Sequence, residues 1–160
     1  MRFATAARST SATRESAMTP KQIEIVQSTF TKVAPIAEIA ADLFYARLFE
    51  LDPQLKAMFK GDMKRQGMML MSMLSTAVRG LSQPDALVPV VKGLGRRHVG
   101  YGVKDEHFTT VGQALIDTLA KGLGAEFTPE AREAWLAAYA LLSTVMKAGA
   151  AEMMEMSQAA

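Results

Sequence analysis

Residues 87–103, LVPVVKGLGRRHVGYGV, predict a helix that carries one histidine on an apolar face. Leu87, Val91, Leu94 and His98 are spaced at i, i+4, i+7 and i+11, so they share one side of a helix. That side presents three aliphatic side chains and one imidazole.

Glycines lie on both sides of this histidine. Gly95 lies one turn before His98, where the missing side chain leaves room for a flat ligand beside the imidazole. Gly100 and Gly102 are expected to end the helix. A single histidine cannot hold a bare metal ion tightly, although its ring nitrogen is a good metal ligand. The pattern therefore predicts a metal whose remaining ligands come from another molecule, as in a porphyrin.

Composition narrows the class of protein. The chain has 160 residues, 49% of them hydrophobic, which suits one globular domain with a sizeable core. We expect no membrane contact, because no apolar run approaches spanning length, and no nucleic-acid partner, because the net charge is only +2. The absence of cysteine excludes disulfides, iron–sulfur clusters and haem attached through thioethers. It also fits a reducing compartment, and we predict that the protein lies in the cytoplasm.

The chain divides into three parts. Residues 1–17 are small, hydroxylated and arginine-bearing, with no continuous apolar segment, and they predict a disordered extension rather than a signal peptide. Residues 18–152 form the predicted domain, and residues 153–160 the predicted C-terminal tail.

Caps and prolines mark the helices of this domain. Thr19 followed by Pro20, Asp52 followed by Pro53, and Thr128 ahead of the last segment are typical helix starts. Predicted helices cover residues 20–33, 36–49, 52–59, 64–78, 88–99, 105–120 and 129 onward. Seven or eight helices of unequal length indicate an irregular all-α fold rather than a regular bundle.

Four further side chains become candidates for the same site if His98 is a metal ligand. Tyr45 lies within an apolar helix, where its hydroxyl needs a partner. Gln66 and Leu70 are four residues apart and point the same way. Phe59 ends the short third helix, where its ring can pack on a planar ligand. Neutral donors in an apolar cavity suit a diatomic ligand that takes on negative charge.

The chain from residue 18 to about residue 150 resembles the bacterial single-domain globins, which are similar to the haem domain of flavohaemoglobins. The order and spacing of five motifs carry the resemblance: LFYARLFELDPQLKAMF (43–59), RQGMML (65–70), LGRRHVGYGVKDEHF (94–108), VGQAL (111–115) and EAWLAAYALL (133–142). The resemblance implies an all-α globin fold of seven to eight helices around a pocket for haem b, iron protoporphyrin IX.

The resemblance also implies roles for the candidate residues. His98 would be the proximal iron ligand, and Phe59 would wedge the porphyrin. Tyr45, Gln66 and Leu70 would line the distal side, where hydrogen bonds from Tyr45 and Gln66 would stabilise bound oxygen. The expected ligands are oxygen, nitric oxide and other small diatomic molecules.

One departure from the family pattern concerns the proximal side. Flavohaemoglobin haem domains place a tyrosine and a glutamate behind the histidine, which makes the imidazole more electron-donating. Phe108 stands in place of that tyrosine, and Glu152 is the candidate glutamate. We therefore expect the carbonyl of Leu94 to orient His98, and reversible ligand binding to be favoured over oxygen cleavage.

Five methionines fall between residues 63 and 73, and we interpret them as adaptable core filling. In related globins the position of Met69 often carries a basic residue that faces a haem propionate. That contact is expected to be lost here.

Three alternatives to a simple gas binder stay open. The same pocket could act as a nitric oxide dioxygenase, which would need an external reductase because the chain shows no flavin or nicotinamide module. It could also sense gas through a partner, or be a haemless interaction module. A monomer or weak homodimer is expected.

Overall fold

The computed structural model describes residues 18–100 and 103–159; most of these residues are helical, and none of them lies in a strand. The six α-helices are α1 (Pro20–Val33), α2 (Ala37–Leu51), α3 (Met63–Gly80), α4 (Pro84–Gly100), α5 (Asp105–Leu123) and α6 (Pro129–Ala159). Three short 3-10 helices cover Ala34–Ile36, Pro53–Met58 and Gly124–Glu126. The predicted all-α fold is confirmed, and the predicted short third helix is a 3-10 helix.

The predicted helix starts are present. Thr19 and Gln22 form a reciprocal capping box, because the Thr19 hydroxyl accepts from Gln22 N–H and the Gln22 side chain accepts from Thr19 N–H. The Asp52 carboxylate accepts a hydrogen bond from Gln54 N–H at 3.2 Å and caps the 3-10 helix. These local bonds satisfy backbone donors that a helix start leaves without intrahelical partners.

Helices α4 and α6 extend furthest beyond their predicted bounds. Helix α4 begins at Pro84 instead of Val88, since a proline at a helix start gives up no backbone hydrogen bond. Helix α6 continues to Ala159, through the segment predicted as a tail, and its alanines and methionines are good helix formers. The domain boundary at residue 152 stays a prediction, and the predicted extension 1–17 lies outside the described residues.

Most of the buried side chains form one cluster, here called the main core, to which all six helices contribute. Trp135 of α6 lies at its centre with 1% of its surface exposed. Its indole Nε1–H donates to Thr29 Oγ1 at 2.9 Å, so the largest core side chain leaves no polar atom unsatisfied. The other buried members are Val26, Phe30, Val33, Ala40, Ala77, Val78, Leu81, Leu87, Val91, Ile116, Leu119, Leu123, Ala134 and Ala138.

A second cluster, here called the Tyr45 cluster, lies between α2, the following 3-10 helix and α5. Its buried members are Phe44, Tyr45, Leu48, Leu55 and Ala114. Around them pack apolar side chains that are only half-buried: Phe49, Met58, Phe59, Met63, Leu70, Val111 and Leu115. Leu115 also packs against the main core, so α5 connects the two clusters.

Helices α4 and α6 cross with their backbones in close contact. A Cβ on Gly95 would lie 1.9 Å from the carbonyl oxygen of Met146, and a Cβ on Gly149 would lie 2.2 Å from that of Lys92. The prediction that Gly95 leaves room for a flat ligand is therefore wrong. The missing side chain at Gly95 makes room for the backbone of α6.

The segment Pro129–Glu155 of α6 is long and apolar enough, by length and composition alone, to cross a membrane. The sequence-based statement that no segment approaches this length is corrected on that point. The same segment contributes Ala134, Trp135 and Ala138 to the main core, as expected of a core helix. The absence of membrane contact stays a prediction.

Candidate functional site

His98 lies near the end of α4, on the predicted face. The same face is buried at Leu87 (6% exposed) and Val91 (3% exposed), and it becomes half-buried at Leu94 and His98. His98 Nδ1 lies 2.6 Å from the carbonyl oxygen of Leu94, which is the predicted hydrogen bond. Because a carbonyl oxygen only accepts, Nδ1 carries the proton and the lone pair suited to a metal belongs to Nε2.

Tyr45 is buried among aromatic rings on α2. Its ring centroid lies 5.2 Å from that of Phe44 and 5.3 Å from that of Phe59, in edge-to-face geometry. Burial raises the pKa of the Tyr45 phenol to about 12, because the phenolate would lose its hydration. Tyr45 is therefore a neutral hydrogen-bond donor at physiological pH.

The hydroxyl of Tyr45 donates to the backbone carbonyl of Gln66 at 3.4 Å, a long hydrogen bond. This bond joins α2 to α3, which approach closely because Gly67 has no side chain: a Cβ there would lie 2.9 Å from Ala41 Cβ. The structure thus brings Tyr45 and Gln66 together through the main chain of Gln66. A donor role for the Gln66 side chain stays a prediction.

Phe59 and Leu70 are half-buried and pack against the Tyr45 cluster. The Phe59 ring also lies edge-to-face with Phe49, with 5.6 Å between centroids. The predicted site residues therefore fall into two groups. Tyr45, Phe59, Gln66 and Leu70 belong to the Tyr45 cluster or contact it, and Leu94 with His98 forms the second group on α4.

Phe108, expected where relatives carry a tyrosine, is buried at the start of α5. A cation faces its ring, with Lys147 Nζ 5.5 Å from the centroid. The candidate glutamate, Glu152, instead pairs with Arg96 at 2.7 Å and Lys92 at 2.9 Å. These two hydrogen bonds, that of Arg96 first, hold the pKa of Glu152 below its usual value.

Tyr139 is a residue that sequence reasoning missed. Its hydroxyl donates to the Phe108 carbonyl, and its ring fills the space left by Gly112, where a Cβ would lie 2.6 Å from the ring. Burial raises the pKa of Tyr139 well above its usual value. Gly112 was the sequence feature that could have indicated this contact, because a glycine inside a helix indicates a closely packed neighbour.

The interpretation of the methionines as core filling is wrong for two of them. Met68 is 69% exposed and Met69 is 54% exposed, on the outer face of α3. Met63 and Met71 pack against the Tyr45 cluster and the main core, respectively, as predicted.

Comparisons with known proteins agree with this architecture. The family model described as Globin matches residues 42–146. A flavohemoprotein of Xylella fastidiosa is 30% identical over 131 residues, which is 80% of this chain and 33% of the relative. One of Bacillus subtilis is 32% identical over 126 residues, or 77% of this chain and 32% of the relative. The chain spans about a third of the length of these curated relatives.

The family match covers α3, α4 and α5 and most of α2 and α6. It includes every residue of the candidate site, from Tyr45 to His98. This chain belongs to the globin family.

Proposed function

We propose that the chain is a haem b globin that binds oxygen, and nitric oxide as well, with His98 as the protein ligand to the iron. The observation that carries the proposal is the 2.6 Å hydrogen bond between His98 Nδ1 and the Leu94 carbonyl. A second-sphere bond of this kind fixes ring orientation and tautomer in metal-ligating histidines. Membership of the globin family and the similarity to flavohemoproteins support haem as the cofactor.

The side chains at the Tyr45 cluster suit a flat, mostly apolar macrocycle. Phe59, Leu70 and Val111 pack against the Tyr45 cluster, but each is only half-buried. Part of each apolar side chain therefore stays exposed. A porphyrin face could cover such a surface at a gain of about 25 cal/mol per Å² of apolar area. When bound, haem supplies an iron centre that takes up diatomic gases.

As the iron ligand, the His98 imidazole would donate electron density to the metal only moderately. Its Nδ1–H meets a neutral carbonyl, whereas a carboxylate partner would make the imidazole more basic. Glu152 is engaged with Lys92 and Arg96, and the charge that faces the Phe108 ring is the cation of Lys147. This arrangement favours reversible gas binding over oxygen activation.

Tyr45 would stabilise the gas through its hydroxyl. The phenol is neutral, and its contact with the Gln66 carbonyl is long enough to be exchanged for a better acceptor. A hydrogen bond to a charged acceptor contributes about 1.5–3 kcal/mol. The Gln66 amide is proposed as a second donor.

We also propose that reducing electrons reach the iron from a separate reductase. The relatives are named flavohemoproteins, which supports a flavin-bearing source of electrons. A sustained reaction such as nitric oxide dioxygenation would depend on that partner. Reversible oxygen binding would need it only to return oxidised iron to the ferrous state.

Absorption spectra of the ferric, ferrous and carbon monoxide forms test the assignment of His98. His98→Ala is expected to lose the normal ferrous spectrum and to bind haem more weakly. His107→Ala is the matched control, because His107 accepts a hydrogen bond from Lys104 N–H at the start of α5 and should leave the bands unchanged. Wild-type bands and haem affinity in His98→Ala would contradict the proposal.

Oxygen dissociation rates test the role of Tyr45. Removing its hydroxyl in Tyr45→Phe is expected to raise the rate by about tenfold or more, as loss of one charge-assisted hydrogen bond implies. Tyr139→Phe removes another phenol, half-buried, whose hydroxyl donates to the Phe108 carbonyl, and this variant should change the rate little. Equal rates in Tyr45→Phe and the wild type would remove Tyr45 from the site.

A further inference from the structure

The outer face of α3 and the loop before it carry an unusual combination of exposed side chains. Lys60, Lys64 and Arg65 are exposed, and Met68 and Met69 follow with 69% and 54% of their surfaces exposed. Met68 lies four residues after Lys64, and Met69 four residues after Arg65, so each methionine is adjacent to a cation on the helix surface. These five residues are here called the basic methionine surface.

Positive charge is concentrated at this place. The whole chain has a net charge of +2, yet residues 56–65 alone hold four basic side chains and one acidic side chain, Asp62. Glu38 contacts Lys64 at 3.6 Å, but both side chains are more than 70% exposed, so this pair neutralises little. Among the described residues, Lys60 and Arg65 form no ion pair.

We propose that the basic methionine surface docks an acidic electron-transfer protein, the partner that would reduce the iron. The inference rests on the proposed function. Methionine and arginine are enriched in protein interfaces, and methionine adapts its shape to different partners. A cationic rim around exposed apolar side chains fits a partner with a carboxylate-rich surface, because complementary charge speeds encounter and fixes orientation.

The position on α3 supports a redox role. Gln66 and Leu70, both assigned to the candidate site, are neighbours of Arg65 and Met69 in the same helix. They are half-buried, whereas Arg65 and Met69 are exposed, so adjacent faces of one helix serve the two roles. A protein docked on the outer face would stand about one helix width, roughly 10 Å, from the candidate gas site.

A protein partner explains the surface better than a membrane or a nucleic acid does. The exposed cations occupy one helical turn and the preceding loop, and no extended basic stripe is present in this part of the chain. The nearby ring of Phe59 packs against Tyr45, and among the described residues no aromatic side chain is exposed for insertion into lipid.

Zero-length cross-linking tests the docking directly. The probe is a bacterial flavodoxin, a small acidic flavoprotein, mixed with the haem-loaded protein and a carbodiimide that joins lysine to carboxylate. Peptide mass spectrometry is expected to find cross-links at Lys60 and Lys64, with few at Lys21, an exposed lysine of α1. Cross-links that favour Lys21 or other lysines, or none at all, would overturn the inference.

Reduction kinetics give an independent measurement. Flavodoxin hydroquinone loses one electron to become the semiquinone, and ferric iron gains it. At low ionic strength, the double variant Lys60→Glu/Arg65→Glu is expected to slow this reduction by about tenfold or more, whereas the wild-type rate should fall as salt is added. Lys21→Glu removes a cation elsewhere and should match the wild type.

The methionines are tested separately from the charges. Replacing Met68 and Met69 together by serine is expected to lower the reduction rate several-fold while keeping its salt dependence, since only apolar contact is removed. Reduction by ascorbate at high salt, where the charge of this small anion is screened and no protein docking is needed, should be equal in all variants. An unchanged flavodoxin rate in both the charge and the methionine variants would overturn the inference.

These outcomes separate the two proposals. A protein that takes up no haem would contradict the proposed function and the docking together. Normal ferrous and carbon monoxide spectra with flavodoxin rates unaffected by the variants would contradict the docking alone.

Discussion

The main core and the Tyr45 cluster are built from similar apolar side chains but differ in how completely the chain covers them. In the main core, large side chains such as Trp135 and Val26 are almost fully buried, and the Trp135 indole has its own partner in Thr29. In the Tyr45 cluster, half-buried apolar residues outnumber the buried ones among those described. The first region is closed by protein alone, whereas the second keeps apolar surface available to a ligand.

This difference predicts that the two regions respond differently to mutation. Substitutions in the main core should cost stability with or without haem, because the chain itself fills that space. Substitutions in the Tyr45 cluster should lower the free energy of unfolding less in the haem-free protein. They should lower it more once haem is added.

Trp135→Ala is expected to have the largest effect. Loss of a fully buried indole costs about 3–5 kcal/mol in the free energy of unfolding, through lost transfer energy and the cavity that remains. Urea unfolding of the haem-free protein, followed by far-UV circular dichroism, measures the loss. Haem should not restore the stability, and a loss below about 1.5 kcal/mol would contradict the description of a closed core.

Alkaline pH is expected to have the second-largest effect on stability, through the Tyr45 phenol. The Tyr45 phenol has a pKa of about 12 in the folded protein and about 10 in the unfolded chain, so the unfolded state ionises first as pH rises. The stability that depends on the neutral phenol is intact below pH 10 and is lost as pH rises towards 12, at up to about 1.4 kcal/mol per unit.

The comparison of wild type with Tyr45→Phe isolates this effect. Both proteins keep Tyr139, whose raised pKa acts in the same direction. Unfolding measured between pH 9 and 12 should show the steeper decline in the wild type. Parallel declines would show that Tyr45 does not titrate as a buried phenol.

Phe59→Ala is expected to have the smallest effect on the haem-free protein. Because Phe59 is half-buried, removal of its ring should cost about 1–2 kcal/mol, against about 3–5 kcal/mol for Phe30→Ala in the main core. Haem titration should show weaker binding by Phe59→Ala. Equal losses for the two variants in haem-free protein would remove the distinction between the two regions.

Local features of the sequence predicted local features of the structure. The Thr19 capping box and the bond from His98 to Leu94 both join residues three or four positions apart, a separation that helix geometry alone determines. The edge-to-face contact of Tyr45 with Phe59 was not predicted, because the two residues come from different elements.

Features that depend on distant partners were mispredicted or missed. Gly95 suits either a flat ligand or a crossing helix, and the helix that occupies the space, at Met146, lies far along the chain. Met68 and Met69 have the hydropathy of core residues, but among the described residues their side of α3 stays exposed. Periodicity identifies an apolar residue and does not reveal what covers it.

The close crossing of α4 and α6 has a mechanical consequence for gas binding. Gly95 and Gly149 bring each helix against the other's backbone on both sides of the crossing, so the two helices cannot slide independently. We hypothesise that a displacement of His98 on gas uptake carries α6 with it. Hydrogen exchange should then change in both helices when carbon monoxide is added, and a change confined to α4 would contradict this coupling.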